Sequence, residues 1–162
     1  MSDGFITDVF TFVHASDSPM HAVGTVKRSG ENEYMYIRNG ATVTGTANYP
    51  AMEIGATGSF LVTADVTNTT THVCRGIYMA TMATNEYGWI QTKGYYHSAN
   101  ITAAVATIGY PLKVVTDGYF DLCDAAGDVQ CGWAAEITTA AVTDGTLSIY
   151  LNCPSMGYGG TT

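Results

Sequence analysis

Ala41-Thr42-Val43-Thr44-Gly45-Thr46-Ala47-Asn48-Tyr49 is the stretch on which the reading of the fold turns. Small or apolar residues alternate in it with polar ones. A β-strand drawn through it sets Ala41, Val43, Ala47 and Tyr49 on one face, and three Thr plus Asn48 on the other. Phe60, Val62, Ala64 and Val66 repeat the arrangement against Thr63, Asp65 and Thr67, and Leu147, Ile149 and Leu151 repeat it near the C-terminus. Thr, Val, Ile and Tyr suit a pleated surface because branched or flat side chains pack well there.

Turn signals punctuate these runs. Asn39-Gly40, Asp117-Gly118 and Asp144-Gly145 tolerate positive φ and favour tight hairpins, and Ser29-Gly30, Gly55-Ala56-Thr57-Gly58 and Ala126-Gly127-Asp128 add further breaks. Strands and turns at short, regular intervals predict an all-β chain, an antiparallel β-sandwich or barrel with an extended N-terminal arm and at most one short helix. The place for that helix is Ile101, Ala104, Val105 and Ile108, spaced i, i+3, i+4 and i+7 behind Asn100 as a cap. The same segment, ending at Gly109, also reads as a strand.

The first twenty residues follow neither period. Phe5, Ile6, Val9, Phe10, Phe12 and Val13 occupy both faces of any strand, so the segment must be buried on both sides or reach onto another chain. The expected organisation is an extended arm over 1–20, a β domain over 21–154 and a flexible or docking tail over 155–162.

Composition narrows the function. Of 162 residues, 24 are Thr and 18 Gly, and only 12% are charged, against about 25% in soluble domains. Such a surface is suited to lying against something else. Six basic against fourteen acidic residues give a net charge of −8, which disfavours nucleic acid as a partner because phosphate binding rests on Lys and Arg. No stretch approaches the roughly 20 apolar residues that span a bilayer, and Met1-Ser2-Asp3-Gly4-Phe5 carries no basic or apolar signal-like region, so neither a membrane nor export is expected.

Cys74, Cys123, Cys131 and Cys153 form no CxxC. Cys123 and Cys131 lie symmetrically about Gly127 and would face each other across a hairpin there; the reading preferred for all four is buried thiols in a reducing cytosol.

Chemistry is thinly represented. His14, His21, His72 and His97 stand apart, without HExxH, and no Ser sits in GxSxG. Asp117, Asp121, Asp124 and Asp128 invite comparison with a calcium site, but their spacing is not that of an EF-hand, and Asp bonding its own backbone in turns is the preferred reading. No catalytic residue, cofactor or metal is expected, and the chain is read as not an enzyme. Gly88-Trp89-Ile90-Gln91-Thr92-Lys93-Gly94 is the sharpest local constellation. Trp89 and Trp133 are assigned to the core, with a sugar-binding platform of exposed Trp and Tyr as the minority reading.

That stretch, followed by Gly109-Tyr110-Pro111-Leu112, Asp117-Gly118-Tyr119-Phe120-Asp121, Gly132-Trp133-Ala134 and Leu151-Asn152, resembles a recurrent module of tailed-phage head proteins that decorate or cement the capsid. Gly24-Thr25-Val26, Asn32-Glu33-Tyr34-Met35-Tyr36-Ile37-Arg38 and Gly40-Ala41 resemble the N-terminal half of that module, so the likeness covers most of 20–152. The family has no fixed catalytic motif, and no active site is carried over.

The resemblance implies a virion structural protein on the capsid exterior, assembled in the host cytoplasm, and charge and hydropathy add that neither nucleic acid nor a membrane is an expected partner. Its partners would be the major capsid protein and itself, as a homotrimer. Phe5, Val9, Phe10 and Phe12 are the expected partner-contacting residues of the arm, able to add strand-wise to adjacent capsid subunits. The alternative is a carbohydrate- or host-receptor-binding β-domain of a tail or head fibre.

Overall fold

The structure, a computed structural model, describes residues 16, 18–40, 43–54, 59–66, 73–102, 104–105, 107–126, 128–138 and 145–153. Among them run ten strands: β1 (Val26–Ser29), β2 (Asn32–Asn39), β3 (Pro50–Glu53), β4 (Leu61–Thr63), β5 (Cys74–Tyr78), β6 (Tyr87–Ile101), β7 (Pro111–Thr116), β8 (Tyr119–Leu122), β9 (Gly132–Ala134) and β10 (Gly145–Asn152). The all-β expectation holds, and no α-helix occurs among the described residues. Ile101 ends β6, and Ile108 and Gly109 form a turn, so the helical spacing from Ile101 to Ile108 is not used as a helix.

The strands join in the order β1-β2-β4-β3-β5-β6-β10-β9-β7-β8, and β6 pairs additionally with β2 and β8. Those two pairings close the sheet twice. One ring runs β2-β4-β3-β5-β6 and the other β6-β10-β9-β7-β8, with β6 common to both. The ring walls are antiparallel except at β2–β4 and β6–β8, which are parallel, so the sheet is mixed. Closure leaves few free sheet edges, which otherwise invite unwanted pairing.

Each ring has its own interior. Met35, Ile37, Ala51, Val62, Ala64, Tyr78, Met82 and Ile90 fill the first. Tyr96, Ala99, Ile101, Leu112, Val114, Phe120, Ala134, Leu147, Ile149 and Leu151 fill the second, where Met52, Cys74 and Ile77 join them. Tyr78 thus points into one core while its neighbour Ile77 points into the other. All five residues of β5 and all four of β3 are buried, as befits strands packed on both faces.

The Gly88–Gly94 stretch shows how one strand serves two rings. Trp89 turns outward onto Tyr34 and Tyr36, and Ile90 turns into the first core. Register slips between Glu33 and Tyr34 opposite this segment, and the Thr92 hydroxyl donates to the Glu33 carbonyl at 3.2 Å. Gly94 then adopts φ 95°, a conformation natural only to glycine. The buried Gln91 amide spans the kink by donating to the carbonyls of Lys93 (3.2 Å) and Tyr95 (3.0 Å). Before the kink β6 pairs with β2 and β5; beyond it, with β10.

Two sequence expectations are corrected. The stretch through Tyr49 is not a strand over its described part, 43–49: Gly45 makes an isolated bridge to Met82, and Asn48 sits at φ 73° in a turn leading into β3. Ala41 and Thr42 lie outside the described residues. Asn39-Gly40 is no hairpin either. Fully buried Asn39 accepts from the Tyr78 hydroxyl (2.9 Å) and donates to the Met82 carbonyl (2.9 Å), tying the end of β2 to two other segments. Asp117-Gly118 does form the β7–β8 hairpin, and Ser29-Gly30 leads into the β1–β2 turn.

Candidate docking face

The period-2 logic of β10 determines what the second ring presents outward. With Leu147, Ile149 and Leu151 inside, Tyr150 must point out, and it is 48% exposed. Tyr150 pairs in register with Tyr95 of β6 on one side and with Trp133 of β9 on the other. Tyr95 is 46% and Trp133 37% exposed. Three aromatic side chains therefore stand in a row across three adjacent strands. The Tyr95 and Tyr150 rings meet edge to face, with centroids 5.4 Å apart, the arrangement aromatic quadrupoles favour.

Trp133 is thus not the core anchor that the sequence suggested. Its neighbours Gly132 and Ala134 take the buried positions of β9. Gly132 fits because a Cβ there would meet the Tyr150 carbonyl oxygen at 2.5 Å. Bulk on that strand has only the outer face to occupy. Trp89 is buried as expected, in an aromatic cluster with Tyr34 and Tyr36 on the outside of the first ring. His21 caps that cluster edge-on, and Lys27 Nζ lies 5.0 Å from the Trp89 ring centroid.

A groove of about 430 Å³ runs beside the row, lined by Glu31, Lys93, Trp133, Tyr150 and Asn152 among others. Its floor passes Gly94, so the kink that lets β6 serve both rings also shapes the groove. Chemically the face combines apolar ring surface with a few hydrogen-bonding groups at its rim, the composition typical of the centre of a recognition surface. Further apolar side chains outcrop on the molecule, among them Val26 (45%), Ile108 (64%) and Ile137 (53%), but none of these belongs to the in-register row.

The other candidates resolve as follows. Asp124 and Asp128 both pair with Lys113 Nζ, at 2.6 and 3.0 Å, and Asp128 also accepts the backbone N–H of Ala125 (2.9 Å) and Asp124 (3.0 Å). Lys113 holds the Asp124 carboxyl below its ordinary range, and the turn N–H of Ala125 followed by Lys113 does so for Asp128. Asp117 accepts from Val66 N–H at 2.6 Å, and Asp121 from Leu122 N–H at 2.8 Å. Asp121 and Asp128 bond the backbone of their own segments, whereas Asp117 ties the β7–β8 hairpin to Val66 and Asp124 pairs with Lys113. Among the described residues no group of three or more His, Cys, Asp and Glu has the geometry to hold a metal ion.

His97 Nδ1 lies 2.7 Å from Ser98 Oγ on the surface, and His14 and His72 lie outside the described residues. Burial pushes the Tyr96 hydroxyl up to about 12, with a smaller contribution from Tyr34, and it donates to Asn48. Burial likewise raises Tyr78. Neither is poised for proton transfer near neutral pH.

Cys123 and Cys131 do not form the hairpin pair suggested by their symmetry about Gly127. Cys131 is buried with its thiol on the Leu112 carbonyl (3.2 Å), and Cys123 is partly exposed near Lys113 and Asp128. Cys153 is also partly exposed, so the expectation of four buried thiols holds for Cys74 and Cys131 alone.

Of the expected arm, Ser16 and residues 18–20 are described. Ser16 bridges antiparallel to Tyr87, and the Met20 N–H donates to the Tyr36 hydroxyl at 3.1 Å, so this part runs over the first ring. Phe5, Val9, Phe10 and Phe12 lie outside the described residues, as does the tail over 155–162. Sequence reasoning missed Tyr95 and Tyr150 as surface groups, although the inward Leu147, Ile149 and Leu151 already fixed the direction of Tyr150. Neither a protein-family model nor a curated protein matches this chain.

Proposed function

We propose that the protein is a non-enzymatic docking protein of a tailed-phage head, a decoration or cement protein on the capsid exterior that bridges major-capsid subunits. The observation that carries this reading is the in-register row Trp133–Tyr150–Tyr95, held on a closed double ring in a chain of low charge. A rigid apolar face loses little conformational freedom on binding, which favours affinity per contact. The net charge of −8 opposes association with packaged DNA. Repetition over a lattice turns modest single contacts into tight overall attachment. The arm residues Phe5, Val9, Phe10 and Phe12 are proposed as a second contact to neighbouring capsid subunits, and a homotrimer as the assembling unit.

The test is co-sedimentation of purified protein with phage heads lacking it, read as saturation stoichiometry and as heat resistance of the heads. Saturable binding with a gain in heat resistance supports a cement. Absence of binding to every head preparation would eliminate it.

The exposed Trp133 favours a second reading, a carbohydrate- or receptor-binding domain, because aromatic rings beside Lys93, Asn152 and Glu31 also suit a sugar's mixed apolar and hydroxyl faces. Saccharide titrations followed by tryptophan fluorescence separate the two. A shift that persists in Trp89→Phe and vanishes in Trp133→Phe belongs to the sugar reading; an unresponsive Trp133 removes it.

A further inference from the structure

Three of the four cysteines converge where the two rings meet. Cys74 opens β5, Cys131 precedes β9 and Cys153 follows β10. The Cys74 and Cys153 sulfurs lie 3.8 Å apart although 79 residues separate them in the chain. Backbone hydrogen bonds fix both sides of the pair. Cys153 N–H donates to the Thr92 carbonyl at 3.0 Å, Asn152 N–H to the Cys131 carbonyl at 3.1 Å, and Cys74 faces Cys153 from a strand buried along its length. Bond formation brings the sulfurs from 3.8 Å to about 2.0 Å.

The two thiols are unlike in access and in acidity. Cys74 is buried, whereas Cys153 is partly exposed. Hydrogen bonds from the Cys131 and then the Cys153 thiol, with Arg75 adding to them, outweigh burial and draw the Cys74 thiol well below its ordinary value. The hydrogen bond with Cys74, and then burial, raise the Cys153 thiol. Cys153 is thus the thiol an outside reagent can reach, and Cys74 the more acidic one, placed to resolve a mixed disulfide.

We propose that Cys74 and Cys153 are a disulfide-forming pair, oxidised by exchange with a small-molecule disulfide, and that the bond staples the two rings together. In the first step the Cys153 thiolate attacks one sulfur of the reagent. A mixed disulfide forms, the reagent's S–S bond breaks, and one small thiolate leaves and takes up the proton that Cys153 lost. In the second step the Cys74 thiolate attacks Cys153 Sγ. The Cys74–Cys153 bond forms, the mixed disulfide breaks, and the second small thiolate leaves with the proton from Cys74. The protein gives up two electrons and the reagent is reduced to two thiols. Cys131, left over, keeps its hydrogen bond to the Leu112 carbonyl. The inference stands on the thiol geometry alone and is independent of what the aromatic face binds.

The test exposes the full chain, native and reduced, to oxidised glutathione, then counts thiols after denaturation and maps the linkage by peptide mass. Two of the four thiols should disappear, the mapped bond should join Cys74 to Cys153, and dithiothreitol should restore all four. The oxidised form should melt several degrees above the reduced one. Cys123→Ser should oxidise as the wild type does, and Cys153→Ser should leave Cys74 reduced. Four thiols surviving prolonged exposure would overturn the proposal, and so would a bond mapped to Cys123–Cys131 or Cys74–Cys131. Because the wild-type count and map decide the matter, a variant that fails to fold does not blunt the test.

Discussion

Replacing Gly94 by alanine should damage the fold out of proportion to the one methyl group added. Gly94 sits at φ 95° where β6 passes from one ring to the other. An L-residue in that region costs about 1–2 kcal/mol on conformational grounds alone. Its Cβ would also meet the Asn32 Cα and the Glu31 carbonyl oxygen, each at 2.9 Å, and the Asn32 side-chain oxygen more closely still. The side chain of Asn32 can turn away, but the backbone of the β1–β2 turn cannot yield without dragging β2. Overpacking of this kind adds about 1–3 kcal/mol, for a total near 2–5 kcal/mol. Gly109→Ala is the control. Gly109 has φ 82° with nothing within 4 Å of its would-be Cβ, so it carries the conformational cost without the clash. In urea titrations followed by circular dichroism, with a slope of about 2 kcal/mol per molar, Gly94→Ala should lower the midpoint by roughly 1–2.5 M and Gly109→Ala by roughly 0.5–1 M. Equal midpoints for the two variants would refute the steric argument. Two separate transitions in Gly94→Ala would refute the view that the shared strand makes the rings one cooperative unit.

Other perturbations test other links. Glu53→Gln removes the negative charge that the buried Arg75 guanidinium meets at Glu53 and should lower stability by more than replacing both residues with apolar ones of similar volume; a calorimetric melt unchanged in Glu53→Gln would contradict this. The depressed carboxyls of Asp124 and Asp128 contribute stability that is present above the ordinary carboxylate range and lost as pH falls through their folded-state values, so Asp128→Asn should flatten the acid limb of a midpoint-versus-pH curve, and an unaltered limb would count against the Lys113 pairing. Removal of residues 1–13 should leave a folded protein that no longer binds phage heads in co-sedimentation, and undiminished binding would dismiss the arm as a contact.

How much of this was legible in the chain depended on whether local pattern and tertiary environment agreed. At β10 they largely did: Leu147, Ile149 and Leu151 face the core and Thr146, Tyr150 and Asn152 are exposed, the exception being Ser148, buried where its N–H donates to Glu136. At Asp117-Gly118 the turn chemistry sufficed, since a glycine at φ 82° can close the hairpin. Through Tyr49 they did not. The alternation there is as strict as in β10, yet Gly45 and Asn48 are used for a close approach and a turn, and a period-2 pattern cannot announce that its backbone will bend. Around Phe60 the pattern again misleads, because Thr63 and Asp65 are as buried as Val62 and Ala64. A wall shared between two interiors has no solvent face to reveal itself by.

The aromatic row follows from the same architecture and was hidden for the same reason. Trp133 reads as a core anchor because large aromatics usually are, but β9 is three residues long and leans on β10 through Gly132. Its inward positions are therefore held by Gly132 and Ala134. Tyr95 comes after the kink at Gly94, so no face assigned to Trp89 or Ile90 can be extended to it by counting. Only pairing in register sets Trp133, Tyr150 and Tyr95 side by side, and register is a property of three strands at once. Solvating three such rings is unfavourable by about 25 cal/mol for each Å² of apolar surface left in water. The edge-to-face contact of Tyr95 with Tyr150 offsets part of that cost. The in-register row is therefore the surface on which the proposed docking role rests.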